Sequence, residues 1–408
     1  MPNTPSGPSI CLITEHFPNP YKPWIDTQIA GLIDRGARVS IYAFGGWTTV
    51  LNDIVIEQGL EQRTKYLPAT TRAALRSLID PLKNIGRAPL LSAQRLAIAN
   101  RQGGPLSSRP ALLSRALSLP EDAPDAVLVH DLIPANRMRF LREIFPDTRL
   151  CLSYNGGEVA NMARVSDARS VFSRFDRILA LSEFAKTEAI NRGAPPDRVW
   201  VLPLGFDLSR FRGEASRQYR TEGTLRLVSV GRLSPEKGIH FALKAISILK
   251  DKGYLKIHYA IVGSGLELES LKEQVSALGI VDMVTFLGEL PSQDIPAVLG
   301  SSDALILPSL ETETWAETQA TVVQEALLMG CLTATTPTGA LMETNAPDMH
   351  RFFFTPADEW SLAQVIEELF ALSVHEFRDL GASGRRFAEE RFDARLTVDM
   401  LYDHLFQK

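Results

Sequence analysis

Three consecutive stretches near the start of the chain read Ser9-Ile-Cys-Leu-Ile-Thr14, Trp24-Ile-Asp-Thr-Gln-Ile-Ala-Gly-Leu-Ile-Asp34 and Arg38-Val-Ser-Ile-Tyr-Ala-Phe44. The first is short and almost wholly apolar, as is typical of a parallel strand that is buried on both faces. The second has apolar residues at helical spacing and is followed by Gly36, a residue type common at helix ends. The third is again a strand pattern, so the three stretches together predict a βαβ unit.

The same alternation continues along the chain in two series. Strand patterns of the first series recur near residues 126–130, 149–153, 177–182 and 198–202, with helical patterns near 134–145 and up to 193. After a polar, irregular stretch from 203 to 223, the second series has strand patterns near 225–230, 257–262, 283–287, 303–307 and 331–335. Helical patterns over 358–390 and 394–406 end the chain. We therefore predict an α/β protein with two parallel-sheet domains.

Composition narrows the classes of protein to consider. A chain of 408 residues with 45% hydrophobic content is too long for one ordinary core and too apolar for disorder. The net charge of −5 argues against a nucleic-acid partner. No apolar run approaches the roughly 20 residues of a spanning helix, and Cys11, Cys151 and Cys331 lack the spacing of a disulfide framework or a zinc site. We expect a cytoplasmic protein without a secretion signal.

The segment from residue 63 to 118 has a different charge from the rest of the chain. It carries ten Lys or Arg residues and one acid, Asp80, hence a local charge of +9. Its Leu- and Ala-rich helical stretches would suit an anionic membrane surface, where each basic residue contributes about 1 kcal/mol. The alternative is a solvated helical insertion that pairs with acidic surface elsewhere. Under the first interpretation the protein is peripheral on the inner face of a membrane.

Two cations follow the first strand of the second series, in Gly231-Arg-Leu-Ser-Pro-Glu-Lys-Gly238. In open α/β sheets, ligands bind beyond the carboxyl ends of the strands. Arg232 and Lys237 are therefore expected at a strand end and near a helix start, where cations and backbone N–H groups suit a pyrophosphate. Taken alone, they are better explained as solvated surface cations.

Two carboxylates follow the strand predicted at 303–307. Glu317 and Glu325 are eight residues apart. If Glu317 begins a helix, the two carboxylates lie two turns apart, about 12 Å along the axis, which suits the two ends of a nucleotide sugar. Glu325 stands among apolar residues, so we expect a hydroxyl or a cation beside it.

The joint order of these motifs resembles the family 4 retaining glycosyltransferases. The similarity lies in Val230-Gly-Arg232 with Glu236-Lys-Gly238, Ile261-Val-Gly-Ser-Gly265, Phe286-Leu-Gly288, Pro308-Ser309 and Glu325-Ala326, with Leu181-Ser-Glu-Phe184 and Val201-Leu-Pro-Leu-Gly205-Phe-Asp207 upstream. The start of the chain, from Phe17-Pro18 through Trp24 to Gly36, resembles the bacterial subgroup that makes exopolysaccharides of the colanic-acid type.

The resemblance implies a GT-B fold, in which two Rossmann-like domains face a cleft. It implies an acceptor-side domain over residues 1–204, a nucleotide-sugar domain over 205–392, and a last helix over 393–408 that crosses back to the first domain. The implied reaction moves a hexose-type sugar from a nucleoside-diphosphate sugar to a hydroxyl of a glycan or lipid-linked acceptor, with retained anomeric configuration.

The resemblance also implies roles for single residues. Arg232 and Lys237 would hold the donor diphosphate and stabilise the leaving group in place of a metal, so no metal or cofactor is expected. Glu325 would bind the ribose, Glu317 the donor sugar, and His130 the transferred sugar, although a lone His at a strand end is more often a core residue. Further donor-side positions are Gly263, Gly265, Gly288, Leu290, Thr318, Gln319, Ala320 and Thr321. The acceptor-side positions are Asn155, Gly156 and Glu158.

The chain departs from the family pattern in three places. Glu317-Thr-Gln-Ala320 stands where the family has Glu-Gly-Phe-Gly, Pro20-Tyr-Lys-Pro23 replaces a Gly-Gly loop, and Asn155-Gly-Gly-Glu158 replaces His-Gly-x-Asp. Two other hypotheses stay open, and the altered glycines favour the second. One is a GT-B epimerase or phosphorylase, and the other is a catalytically silent subunit that binds sugar nucleotides or polysaccharide.

Overall fold

The structure, a computed structural model, describes residues 7–19, 22–46, 53–76, 84–102, 106–156, 167–211, 223–313 and 315–407. It separates into two compact units. Unit 1 comprises Met1–Leu181, Ala185–Leu202 and Thr397–Lys408, and unit 2 comprises Ser182–Phe184 and Pro203–Leu396. The α/β class with two parallel sheets is as predicted, with seven strands in the first sheet and five in the second.

The sheet of unit 1 is parallel throughout, in the order β3-β2-β1-β4-β5-β6-β7. Its strands are β1 (Ser9–Thr14), β2 (Arg38–Ala43), β3 (Thr64–Tyr66), β4 (Ala126–His130), β5 (Arg149–Tyr154), β6 (Arg177–Ala180) and β7 (Val199–Val201). The sequence pattern did not predict β3, because a three-residue edge strand with two exposed side chains is too short to show alternation.

The helices of unit 1 follow most of the predicted positions. They are α1 (Pro23–Asp34), α2 (Asp53–Glu57), α3 (Thr71–Arg76), α4 (Pro89–Arg101), α5 (Arg109–Ser118), α6 (Leu132–Arg137), α7 (Leu141–Ile144), α8 (Ala168–Phe172) and α9 (Glu183–Asn191). The single helix predicted over 134–145 is wrong. The chain instead forms α6 and α7, and the buried side chains of Met138 and Phe140 turn into the core between them.

The basic segment is built into unit 1. Its strand β3 extends the sheet, and Ile98 of α4 and Leu112 of α5 belong to the hydrophobic cluster that covers one face of that sheet. Two of its arginines are also buried. Arg95 donates to the carbonyl of Leu119 at 2.9 Å, and Arg115 donates to the carbonyls of Pro68 and Ala69, each at 2.8 Å. The charge available at the surface is therefore smaller than the sequence count.

The opposite face of the same sheet is covered by α1 and by the last helix of the chain, α17 (Ala394–Phe406). Ile29 of α1 shares a cluster with Leu401 and Leu405 of α17. The two helices approach closely, since a Cβ added at Gly31 would lie 2.9 Å from the side chain of Val398.

The sheet of unit 2 has the order β10-β9-β8-β11-β12 and is also parallel. Its strands are β8 (Leu225–Val230), β9 (Ile257–Val262), β10 (Val284–Gly288), β11 (Ala304–Leu307) and β12 (Leu332–Thr335). The strand order reverses beside β8, which pairs with β9 on one side and with β11 on the other. Ligands of open α/β sheets bind at the carboxyl ends of strands at such a switch point.

The helices of unit 2 are α10 (Ile239–Asp251), α11 (Leu268–Ala277), α12 (Ile295–Gly300), α13 (Thr321–Leu328), α14 (Leu341–Thr344), α15 (Glu359–Ala371) and α16 (Val374–Phe392). They enclose one hydrophobic cluster with the sheet. The longest, α16, begins with a capping box between Ser373 and Glu376 and passes close to the backbone of Gly330 at Gly381.

Candidate active site

The two predicted phosphate cations lie in one loop of unit 2 but in different surroundings. Arg232 follows β8 and has 63% of its side chain exposed, with an amino group 3.9 Å from the carboxylate of Glu236. Lys237 ends a short 3₁₀ turn that precedes α10. The next residue, Gly238, has a φ of 65°, and a Cβ there would lie 2.1 Å from the carbonyl oxygen of Pro308. The loop after β8 therefore packs against the start of the loop after β11.

Lys237 forms a partly buried ion pair with Glu317. Its Nζ lies 2.6 Å from Oε1 of Glu317, and it also lies 4.8 Å from the ring centroid of Trp315. The hydroxyl of the buried Ser309 donates to the same carboxylate oxygen at 2.8 Å. One carboxylate thus holds a cation that follows β8 and a hydroxyl that follows β11.

Glu317 is a loop residue, which corrects the expected helical spacing between the two carboxylates. Helix α13 begins only at Thr321, so the estimate of two helical turns to Glu325 does not apply. The backbone carbonyl of Glu317 accepts a hydrogen bond from the N–H of Ala340 at 2.7 Å. A Cβ added at Gly339, whose φ is 53°, would lie 2.2 Å from that carbonyl oxygen, so the two loops are in backbone contact.

Glu325 lies on α13 and carries a perturbed carboxyl group. Burial raises its pKa from 4.5 to about 7, while the positive charge of Arg210 opposes that rise. Arg210 belongs to the 3₁₀ turn Leu208–Phe211 of the same unit. A carboxyl group that titrates near neutral pH beside a cation differs from an ordinary surface glutamate.

The two glycines after β9 are required by backbone packing. A Cβ at Gly263 would lie 1.9 Å from the carbonyl oxygen of Gly231, and one at Gly265 would lie 2.2 Å from that of Leu233. The N–H of Gly263 donates to the carbonyl of Gly288 at 2.7 Å. Successive strand-end loops therefore stack on one another, and the partly buried Leu290 packs against the core beside them.

The four residues between Glu317 and Val322 differ in what they contact. The carboxamide of Gln319 accepts from the N–H of Leu204 at 2.8 Å and donates to its carbonyl at 3.3 Å, so this side chain is already engaged with backbone. Thr318 and Ala320 are buried, and Thr321 is the first residue of α13. The carboxamide of Gln319 is thus used in a structural contact with Leu204 and is not left free to bind a donor.

In unit 1, His130 ends β4 and is fully buried, with 0% of its surface exposed. Among the described residues, neither of its ring nitrogens has a hydrogen-bond partner. The ring of Trp24 meets it edge-on at a centroid distance of 5.2 Å. Burial lowers the pKa of His130 from 6.5 to about 4, so the imidazole is neutral at neutral pH. A neutral ring with unpartnered nitrogens is able to accept and donate one hydrogen bond each.

The residue after His130 has a strained backbone. Asp131 has a φ of 74° and a ψ of 158°, a region that is essentially restricted to glycine and costs of order 1–3 kcal/mol. Its N–H donates to the carbonyl of Ser153 at 3.0 Å, and its carboxylate lies 2.7 Å from Nζ of Lys22.

The predicted acceptor-side residues follow β5 in the same unit. The hydroxyl of Ser153 donates to Oδ1 of Asn155 at 3.3 Å, and Gly156 has a φ of 61° that suits glycine. Glu158 lies outside the described residues.

Sequence reasoning missed several contacts at both sites. Ser309 stands in one of the motifs quoted above, but its bond to Glu317, eight residues later in the loop between β11 and α13, has no local sequence pattern. Trp315 gives no periodic signal because it lies in a loop. Asp131 directly follows the candidate His130, but its positive φ and its ion pair with Lys22 are visible only in the folded structure.

The described residues contain no group of three or more His, Cys, Asp or Glu side chains placed to hold a metal ion.

Replacing Lys237 by Met should destabilise unit 2 by about 3 kcal/mol, because the buried carboxylate of Glu317 loses its cation. The double variant K237M/E317Q should recover most of that loss. Chemical denaturation of the full chain measures both free energies of unfolding. Lys244→Met is the matched control, since Lys244 lies 3.7 Å from Glu359 at the surface and its loss should cost under about 1 kcal/mol. Equal losses for K237M and K244M would contradict the prediction.

The buried His130 should make unit 1 sensitive to acid. A histidine whose pKa falls from 6.5 to about 4 on folding stabilises the folded state fully above pH 6.5. That stabilisation, on the order of 3 kcal/mol, should disappear as the pH falls to about 4. Unfolding free energies measured between pH 7 and pH 4 should therefore decline less steeply in His130→Asn than in the unmodified protein. The exposed His375, replaced by Asn, serves as the control, and an unchanged slope for His130→Asn would refute the assignment.

Two family models match consecutive parts of the chain. The model described as Glycosyltransferase Family 4 matches residues 25–210, and that described as Glycosyl transferases group 1 matches residues 212–386. The chain is 25% identical over 397 residues to the putative colanic acid biosynthesis glycosyltransferase WcaL of Escherichia coli (strain K12), covering 93% of this chain and 95% of that protein. It is 24% identical over 314 residues to the amylovoran biosynthesis glycosyltransferase AmsK of Erwinia amylovora, covering 74% and 75% of the two chains.

Solved structures share the fold at low identity. Anabaena Alr3699/HepE, solved in complex with UDP and glucose, has a TM-score of 0.67 at 19% identity, and the match covers 97% of this chain and 99% of that one. The sucrose-phosphate synthase of Thermosynechococcus elongatus has a TM-score of 0.68 at 16% identity and covers 98% and 99%. The expected GT-B fold and the resemblance to family 4 are both confirmed. Both halves of the chain match glycosyltransferase models in order, so the chain is a glycosyltransferase.

Proposed function

We propose that this glycosyltransferase moves a hexose-type sugar from a nucleoside-diphosphate sugar to a hydroxyl of a glycan or lipid-linked acceptor, with retained configuration and without a metal. The observation that carries the proposal is the cluster of Arg232, Lys237, Ser309 and Glu317 at the carboxyl ends of β8 and β11. It stands at the switch point of the unit 2 sheet, where ligands of such sheets bind. The names of the relatives that make colanic acid and amylovoran support a role in bacterial exopolysaccharide synthesis.

The donor diphosphate would meet two different cations. Arg232 is exposed and free to orient its planar guanidinium toward phosphate oxygens. Lys237 is held by Glu317, whose carboxylate also accepts from Ser309, so its ammonium is positioned before the donor arrives. Fixed cations that face the developing charge of a leaving diphosphate stabilise the transition state without reorganisation.

The two carboxylates would act at separate parts of the donor. Glu325 would accept hydrogen bonds from the ribose hydroxyls, and a pKa of about 7 makes this acceptor strongest above neutral pH. Glu317 would meet the donor sugar while it orients Lys237. The UDP and glucose bound to Anabaena HepE make UDP-glucose a reasonable first donor to test.

The alternatives remain distinguishable by product. A silent binding subunit would use the same cluster to bind a nucleotide without turnover, and an epimerase or phosphorylase would release different products. Mass spectrometry after incubation with UDP-, GDP- and ADP-sugars and lipid-linked or soluble acceptors separates these cases, because only transfer joins the donor sugar to an acceptor.

Arg232→Ala should weaken binding of the cognate nucleoside diphosphate by about 10- to 100-fold, since a hydrogen bond to a charged group is worth roughly 1.5–3 kcal/mol. Glu325→Gln should reduce the gain in affinity that accompanies ionisation of Glu325 between pH 6 and pH 8. Isothermal titration at both pH values measures these effects, and ionisation of the nucleotide is common to all variants. Lys244→Met on α10 is the control for loss of a surface cation. Unchanged affinity in R232A would remove Arg232 from the donor site.

We also propose that the basic segment, residues 63–118, attaches the protein to an anionic membrane surface. Arg63, Lys65, Arg72 and Arg87 are exposed, and among the described residues none of them forms an ion pair with an acid. Exposed apolar side chains, Leu75 at 60% and Leu90 at 87%, lie in the same segment. None of the described helices combines the length and hydropathy that crossing a bilayer requires. Attachment would therefore rest on surface cations and a few apolar side chains.

Changing Arg63, Lys65, Arg72 and Arg87 together to Glu should abolish co-sedimentation with vesicles that contain anionic lipid, because each basic residue contributes about 1 kcal/mol. A matched variant with Lys244, Lys250, Lys252 and Lys272 of unit 2 changed to Glu should still sediment. Vesicles of neutral lipid alone should bind neither protein. Binding that is independent of anionic lipid, or equal in the two variants, would rule out this surface.

A further inference from the structure

We propose that Asp131 is a positioning residue whose ion pair with Lys22 fixes the strained turn after His130 and balances the charge beside its ring at the end of β4. The inference rests on the proposed function only in that His130 is taken to meet the transferred sugar. Asp131 and Lys22 themselves need not touch any substrate.

Backbone geometry supplies the first argument. Asp131 has a φ of 74°, a conformation that side chains other than glycine rarely adopt, directly after His130. Its N–H is tied to the carbonyl of Ser153 on the neighbouring strand β5 at 3.0 Å. Strain of this kind persists only where surrounding contacts enforce it, and it is concentrated at functional sites. The conformation directs the carboxylate toward Lys22 at the start of α1, where the two groups are 2.7 Å apart.

The charges around the ring supply the second argument. Burial is the main cause of the lowered pKa of His130; the charge of Asp131 opposes that shift, and the charge of Lys22 adds to it. Glu15 directly follows the neighbouring strand β1, and its carboxylate is already paired with Arg137 at 2.6 Å. On α1, the other acid near this end is Asp26, which is buried. Lys22 is thus the cation that balances the carboxylate nearest to His130.

The ring itself supplies the third argument. His130 is fully buried, and neither of its nitrogens has a partner among the described residues. An imidazolium has no acceptor nitrogen, so protonation would remove the ability of the ring to accept a bond from a sugar hydroxyl. Trp24, two residues after Lys22 on α1, holds the ring edge-on at 5.2 Å. The anchored start of α1 therefore orients His130 through Trp24 and adds the balancing charge of Lys22, while burial keeps the ring neutral.

This arrangement belongs to the part of the chain that departs from the family pattern. Lys22 lies in Pro20-Tyr-Lys-Pro23, the stretch that stands in place of a Gly-Gly loop. A lysine in that position offers a charge that glycines lack, so the pair is a property of this chain's own sequence.

The experiment is an NMR titration of His130 in the full chain, with its ring signal assigned by comparison with His130→Gln. Lys22→Met should move the titration midpoint upward by about one pH unit, because the Asp131 carboxylate is left unbalanced. Lys22→Arg should restore the unmodified midpoint, and the double variant K22M/D131N should return to it or below it. An unmoved midpoint in K22M, or one that stays high in the double variant, overturns the proposal.

A second measurement keeps the inference separate from the proposed function. Once a donor is found, the acid limb of kcat/KM against pH should move upward in K22M while nucleotide affinity stays unchanged, because the nucleotide contacts lie in unit 2. If the unmodified protein binds no nucleotide, the proposed function fails, but the NMR titration still decides whether Lys22 and Asp131 set the protonation of His130. If the K22M variant is active and the acid limb of its kcat/KM profile does not move, the positioning role of Asp131 is contradicted.

Discussion

The ion pair between Lys237 and Glu317 joins the loop that follows β8 to the loop that follows β11, and the proposed donor site depends on that junction. It brings a cation, a hydroxyl and a carboxylate together where the strand order of unit 2 reverses. Burying such a pair stabilises little by itself, because removing both charges from water costs about as much as their attraction returns. Its benefit is specificity of position. The ammonium of Lys237 is held in one place by the folded protein alone.

Backbone contacts support that junction from both sides. Gly238 fits against Pro308, Gly263 against Gly231, and Gly339 against Glu317, each at a distance that excludes a Cβ. The glycines of these loops therefore act first on the protein itself, by allowing neighbouring strand ends to stack. These glycines would also let a ligand approach the same backbone, but the contacts between the loops already require them.

Most of the fold could be predicted from the sequence, and the details of the site could not. Buried parallel strands such as β1 and β9 have runs of apolar residues that local reasoning detects, whereas β3 is too short for a pattern to show. Arg232 and Lys237 were found because strand ends and cations are both visible locally. The pairing of Lys237 with Glu317 joins residues eighty positions apart, the burial of Arg95 and Arg115 depends on carbonyls of distant turns, and the φ of Asp131 is a property of the folded backbone. None of these has a local sequence signal.

The last helix has a consequence for how the chain matures. Val398, Leu401 and Leu405 complete a hydrophobic layer whose other members, such as Ile10 and Ile29, lie far upstream in the sequence. During translation that layer stays uncovered until the whole intervening stretch has been made. The residues of unit 2 lie within that stretch, so unit 2 can fold before the layer of unit 1 is complete. Truncated or stalled products would expose the same apolar face and are natural clients for chaperones.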